Sequence, residues 1–547
     1  MASLQPNYLS GWRQFIVGVV ALGLSGCGLL DDEATAIPQG TIGYVQGNLG
    51  GVASDEPRSA LIGREILAAG GSAADAAVAT FFALTVTLPS AVSLGGGGVC
   101  LVRDHQTDTV ETLDFRAMAA LSAGNNADVA AIPGSPRGIF ALHAKHGKLK
   151  WAELVRPAEN LARFGTEVSC ALGQDLKVAA DVILANNEMR DIFSDAAGTD
   201  PYNEGAFIKQ TNLSTTLARI RSRGASDLYT GLTGRQFADQ AQSSGPAFTY
   251  EELRDYLPQW RATIEIPFIK STAFHFPSLP GLAGATAAQI TAMLVFDDQY
   301  EDMNAVERAH LLAEAIERSL ADRPRWQNDS GAQAQVIDAA ITERLLANFD
   351  ESTHNATPSA VSAPTDSLAK SRGASFSIVD QNGSAVACSF TMNKPFGVGR
   401  MASGTGVVLA APPATSNGDE ALASVMMVSK LVNKLYYVSS ASGGAAAPSA
   451  LVNVLAGGII DQVETLENAM QRKRVHHGGA DGITYLEKGI DPAIVNGLGS
   501  RGHKMAYVRI LGYVNALFCA TGIPSKNGAS CVVRTDPRGF GLGVGSE

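Results

Sequence analysis

Long apolar runs are scarce in this chain. The one near its start, Phe15–Leu24, covers ten residues and is too short to span a bilayer, and no other stretch is apolar enough to cross a membrane. Charge is also sparse, at 17% of residues, and the formal balance of -11 gives nucleic acid no electrostatic reason to bind. Only six cysteines occur, with no C-x-x-C pair, and the adjacent His476 and His477 would face opposite ways on a strand. Zinc-type spacing is therefore missing, and neither a metal nor a cofactor is expected. The run Gly95–Gly98 lacks both a Walker lysine and the G-x-G-x-x-G order, so it reads as close backbone packing rather than a phosphate cradle.

What is present suits a compact, largely buried globule. The 547 residues include 57 glycines, and two co-folded segments of such a chain can share one layered core. Arg13, the apolar run and then Leu24-Ser25-Gly26-Cys27 look like a bacterial lipoprotein signal, with Cys27 as the lipidated first residue of the mature protein. The alternative is an ordinary cleaved secretory signal with an incidental cysteine. Gly28 after the cysteine fits sorting to the outer membrane in a Gram-negative cell, so a lipid anchor on the periplasmic face is expected. Setting Cys27 aside leaves five cysteines, an odd number. Cys519 and Cys531 flank a loop, Ala520–Ser530, and an oxidising compartment would allow them to pair, whereas Cys100 and Cys388 sit in apolar strand-like runs and read as small buried hydrophobes.

Local patterns place several elements. Arg58–Ala69 reads as a helix stopped by Gly70-Gly71, and Ser72 caps a second, alanine-rich helix from Ala73 to Leu84. A strand is expected over Val99–Arg103, a further helix over His310–Arg323 and a strand over residues 432–440. Residues 350–371 are rich in Ser, Thr, Pro and Ala, a flexible linker by composition. Directly after it, Ala374–Asp380 and Ser384–Met392 form two strands joined by Gln381-Asn382-Gly383, a strong hairpin signal.

That hairpin, Ser375-Phe376-Ser377-Ile378-Val379-Asp380 in particular, resembles the start of the small subunit of the γ-glutamyltranspeptidases, which are N-terminal nucleophile hydrolases. Gly71–Ala79, Leu94–Gly98 and Leu113-Asp114-Phe115-Arg116 resemble the family's "GGNAVDAAVA", "LGGGG" and "LDFRE" segments, and Ile132–Pro136, Trp151–Ala158 and the 310–323 helix continue the likeness in order. The resemblance implies a four-layer αββα sandwich, an α+β fold. It also implies a division into a signal (1–26), a tether (27–45), a large-subunit-like segment (46–350), a linker at the family's self-cleavage region (351–372) and a small-subunit-like segment (373–547).

The same resemblance assigns roles. Arg116 takes the place of the arginine that grips the α-carboxylate of the γ-glutamyl group, a task suited to a guanidinium fork, while the neighbouring glutamate is Ala117 here. Thr391 matches the threonine that holds the nucleophile, and Asn393 the asparagine near the substrate's α-amino group. Gly443 and Gly444 match the oxyanion-hole pair. Ser424 matches one of two paired serines on the substrate carboxylate, Ala423 replacing the other. The acidic lid segment corresponds to Ala410–Ser416, which carries no carboxylate.

The nucleophile position itself holds Gly373 where the family has threonine. Such an enzyme needs a hydroxyl or thiol beside its own freed amine, and glycine supplies no side chain. Ser371 and Ser375 share the face of residue 373 on an extended strand, but each lies about 6.6 Å away along it, beyond hydrogen-bond reach of partners placed for 373. The expectation is thus a silent relative that keeps a cleft for a small carboxylate. The alternatives are an active γ-glutamyl hydrolase or transpeptidase using Ser375 or Ser371, and a purely structural or partner-binding lipoprotein.

Overall fold

The hairpin that the Asn382-Gly383 pair announces lies at the centre of the molecule. In the computed structural model its strands are Ala374–Val379 and Ala385–Thr391, paired antiparallel from Ala374 opposite Phe390 to Val379 opposite Ala385. Asp380 closes it, accepting hydrogen bonds from the amides of Asn382 at 2.9 Å and Ser384 at 3.1 Å. The same carboxylate accepts from the amide of Ala73 at 3.1 Å, which ties the hairpin to the start of the alanine-rich helix. Described are residues 42–45, 50–121, 126, 128–327, 336–361, 373–413, 422–461, 464–525 and 531–545. All belong to the larger of two units, Pro38–Glu547. Cys27, Ser371, residues 414–416 and residues 526–530 lie outside the described residues.

Two seven-stranded sheets, with antiparallel pairing throughout, make the body of this unit. The first runs in the order Leu542–Gly545, Gly51–Ser54, Ala374–Val379, Ala385–Thr391, Gly97–Asp104, Thr109–Phe115, Gln259–Ala262. The second runs Ile42–Val45, Cys531–Arg534, Tyr513–Ile523, Lys434–Ser442, Ala423–Ser429, Thr272–Phe276, Ile264–Phe268. Strand side chains alternate between faces, and the burial follows. Leu101 and Ala387 of the first sheet meet Met426, Val438 and Leu517 of the second, whereas Val102 and Phe390 turn outward onto the helices carrying Phe81, Ile139 and Leu154. Beyond the second sheet, Val425, Tyr437 and Ala516 pack on helices carrying Ile290, Ile316 and Leu451. Helix, sheet, sheet and helix thus form the four layers that the resemblance implied.

Helix ends follow the sequence closely. Glu56 caps Pro57–Ala68, and Ser72 caps Ala73–Thr87 in a capping box with Asp75. The expected 310–323 helix begins earlier, at Ala305, because Asn304 and Glu307 build a second capping box there. Among the described residues no helix is long and apolar enough to cross a membrane.

One cysteine reading is corrected. Cys100 and Cys388 are buried as expected, yet they form a disulfide, because register sets them directly opposite on neighbouring strands with Cα atoms 4.1 Å apart. Cys519 and Cys531 also pair, again as opposed residues on adjacent strands.

Candidate active site

Gly373 stands at the entrance of the strand Ala374–Val379. It is buried and has φ +60°, a conformation that suits glycine. A Cβ at this position would meet the carbonyl oxygen of Phe390 at 2.7 Å and Cβ of Ser442 at 3.7 Å. Position 373 thus faces the end of a second-sheet strand, and that strand runs directly into Gly443-Gly444.

Both of those glycines have positive φ, +121° and +63°. A side chain on Gly443 would strike Cα of Gly512 at 2.6 Å. Gly444–Ala446 then opens into the helix Ala447–Leu455, so the first amides of a helical run follow directly on Ser442, the residue that position 373 faces. Gly512 is itself braced from behind, because Arg474 Nη1 donates to its carbonyl at 2.7 Å and to that of Leu511 at 3.1 Å. Arg474 is buried against Asp536, which also accepts from Val514 N at 2.9 Å. Burial pushes the Asp536 carboxyl up, but Arg474 and Arg538 more than offset it and hold it below the ordinary carboxylate range.

Ser375 is fully buried in a network the sequence reading did not foresee. Its amide donates to Asp55 Oδ2 at 2.8 Å and its hydroxyl to the same oxygen at 3.4 Å, while Asn515 Nδ2 donates to Ser375 Oγ at 2.9 Å. Ser442 Oγ donates to Asp55 Oδ2 at 3.1 Å, and Asn515 Nδ2 reaches Asp55 Oδ1 at 2.8 Å. Asp55 therefore gathers residues from both sheets beneath position 373. Nothing local marks it, since Asp55, Ser375, Ser442 and Asn515 are far apart in the chain and meet only through sheet register.

The remaining predicted residues lie on other strands of the two sheets or just beyond their ends. Thr391 ends the neighbouring strand opposite Gly97, and its hydroxyl accepts from the amide of Asn393 at 2.9 Å. Asn393 is half-buried with φ +61°, and its Nδ2 donates to Ala411 O at 2.8 Å. The glycine run packs as the sequence suggested, since a Cβ on Gly97 would stand 2.0 Å from Ala117 N and one on Gly96 2.7 Å from the sulfur of Met392. Ser424 is buried opposite Ser440 on the face that meets the first sheet. Arg116 is oriented by Asp114, which accepts from Nε and Nη2 at 2.9 Å each. Burial pushes the Asp114 carboxyl up, but the hydrogen bonds and charge of Arg116 outweigh it and keep the group below its ordinary value. That acid lay in the quoted Leu113–Arg116 motif, and its spacing of two from the arginine at a strand end was the available signal.

Comparison with known proteins gives a consistent result. The family described as Gamma-glutamyltranspeptidase matches residues 59–412, more than half of the chain. The "Glutathione hydrolase proenzyme" of Pseudomonas aeruginosa is 30% identical over 478 residues, covering 78% of this chain and 83% of that protein. The protein of the same description from Escherichia coli is 29% identical over 521 residues, covering 86% and 88%. Among solved structures, a cephalosporin acylase from Bacillus halodurans superposes with a TM-score of 0.77 at 21% identity, covering 94% of this chain and 99% of that one, a likeness of fold. The chain belongs to the γ-glutamyltranspeptidase family and has the N-terminal nucleophile hydrolase fold.

Proposed function

We propose that this member of the family is an uncut, catalytically silent envelope lipoprotein that keeps a cleft for a small carboxylate. The observation that carries the reading is Gly373, which has no atom able to attack a carbonyl. Its surroundings support the reading, since φ +60° and the 2.7 Å approach to Phe390 O fit a glycine better than a branched hydroxyl residue. Two disulfides among the described residues support an oxidising compartment and hence the envelope location, with Cys27 as the lipid-anchored residue. On the ligand side, Arg116 and Ser424 stand for carboxylate recognition, while the lid segment Ala410–Ser416 offers no anion for an ammonium group. A plain dicarboxylate therefore suits the cleft better than glutathione, because a desolvated ammonium without its partner costs several kcal/mol.

The test is a reducing, denaturing gel of the purified mature chain together with a γ-glutamyl anilide assay. A single full-length band without turnover is expected. Calorimetry should show glutarate binding more tightly than glutathione, and equal affinities would end the carboxylate part of the reading. A melting temperature indifferent to every small acid would instead favour a purely structural or partner-binding lipoprotein.

A second reading draws on Asp55, whose carboxylate accepts from the hydroxyl of Ser375. In it, Ser375 or the neighbouring Ser371 acts as a displaced nucleophile for γ-glutamyl compounds. Two fragments split near residues 371–375, with turnover lost in Ser375→Ala, would establish that reading in place of silence.

A further inference from the structure

Apart from the candidate active site, four of the chain's nine histidines and two glutamates gather in one buried place. Glu314 and Glu317 project from the helix Ala305–Asp322, His354 comes from the segment 348–361, and His477 ends the strand Val475–His477. With His503 from beyond the helix Pro492–Ser500, four separate segments supply the groups, so spacing along the sequence could not show this.

His310 and His503 complete their bonding without help. His310 Nε2 lies 2.9 Å from the Asp350 carbonyl and so donates to it, leaving Nδ1 to accept from His503 Nε2 at 2.8 Å. The Thr484 hydroxyl then serves His503 Nδ1 at 3.0 Å. Every nitrogen of that pair is occupied.

The neighbouring group differs. His477 Nε2 lies 3.9 Å from Glu317 Oε1, and His354 Nδ1 lies 3.9 Å from Glu317 Oε2. These separations are too long for hydrogen bonds. His477 is 1% and Glu317 2% exposed, yet His477 Nε2 and Glu317 Oε2 have no hydrogen-bond partner. Each such buried orphan costs about 1–3 kcal/mol unless something fills the gap. The three donor atoms lie within 4.8 Å of one another. A point equidistant from three atoms so spaced is at most about 2.8 Å from each, so an ion at zinc–nitrogen and zinc–oxygen distances of about 2.0–2.2 Å would draw the three side chains inward.

We propose that Glu317, His354 and His477 form a binding site for a divalent ion of the zinc class, with Glu314 as fourth donor. Glu314 is hydrogen-bonded through Oε1 to His354 Nδ1 at 2.5 Å and ion-paired through Oε2 to the buried Arg318 at 2.9 Å, and it would turn from His354 to the ion on binding. Two imidazoles and two carboxylates are a donor set for zinc, cobalt or manganese rather than for calcium. In the ion-free chain the Gly479 amide donates to His477 Nδ1 at 3.2 Å, so the ring proton stands on Nε2. Binding moves that proton to Nδ1 and gives up this long hydrogen bond. The hydrogen bond between His354 Nδ1 and Glu314 Oε1 is given up likewise. The ion would join the helix of the large-subunit-like segment to a strand of the small-subunit-like one, with the 348–361 segment between them.

The experiment uses the full mature chain, stripped with a chelator and dialysed against Zn2+ or Co2+. One metal per chain by elemental mass spectrometry is expected, with a melting temperature that rises on loading and falls with EDTA. Glu317→Gln and His477→Asn should each weaken uptake by about tenfold or more. His476→Asn should leave uptake unchanged, because that ring pairs with Ser449 at 2.8 Å. Should either test variant fold poorly, ligand-field bands of Co2+ in the unmodified chain decide. A chain that holds no stoichiometric metal, and whose melting is indifferent to Zn2+ and chelator, would assign the gap to water and overturn the proposal. Uptake that persists in both variants would place the metal elsewhere and overturn it equally.

Discussion

Replacing Gly373 by alanine tests whether this backbone has settled around the absence of a side chain. The φ of +60° costs a non-glycine residue about 1–3 kcal/mol. The new Cβ also stands 2.7 Å from Phe390 O, a carbonyl beside a central strand that has little room to retreat. Gly373→Ala should therefore lower stability by at least about 1 kcal/mol in urea unfolding followed by circular dichroism. Gly373→Thr should lower it further, because a branched residue tolerates positive φ less well. The second variant carries extra information, since φ at 373 exists only while residue 372 is attached. If threonine cut the chain there, the freed amine would no longer be strained and the penalty would disappear. An alanine variant as stable as the parent would refute the strain argument. A threonine variant that splits cleanly and turns over substrate would show that the nucleophile alone was missing.

Other consequences are open to measurement. Asp55→Ala strands the Ser375 amide, Ser442 and Asn515 at the sheet interface, and a loss of about 2–5 kcal/mol is expected from the same urea titration. Arg474→Met leaves Asp536 buried without that cation and loosens the support behind Gly512; about 3–5 kcal/mol should be lost, and a change below 1 kcal/mol would speak against the brace. His275 is pushed down to about 4 by burial, against about 6.5 when unfolded. Between those values unfolding takes up a proton, so its contribution is whole above pH 6.5 and falls as pH drops through the window, by on the order of 3 kcal/mol. His275→Gln should flatten the stability profile between pH 7 and pH 4, and an unchanged slope would assign that dependence to other groups. Asp114→Asn removes the anion that orients Arg116, and glutarate affinity by calorimetry should rise about tenfold if the guanidinium serves a ligand carboxylate.

Much of the fold was legible because its signals are local. Asn382-Gly383, Ser72 with Asp75, and the Gly95–Gly98 run each act within a few residues, and the structure has a turn, a cap and a close backbone packing at those places. Contacts set by register were not legible. Whether Cys100 faces Cys388 depends on which residues of two distant strands align, and composition offers no measure of that. The same holds for Asp55 beneath Ser375 and for His354 beside Glu314. Asp114 was an intermediate case, in plain view within a quoted motif but with a partner assigned only by geometry.

The Cys100–Cys388 bridge carries a practical lesson about processing. It welds a strand upstream of the linker to one downstream, across the middle of a single sheet. If a protease or the chain itself severed the intervening peptide, both pieces would still migrate, sediment and elute as one covalent object of undiminished mass. A reducing agent would part the two pieces, and a second amino terminus or one added water in the mass would betray the nick with the bridge intact.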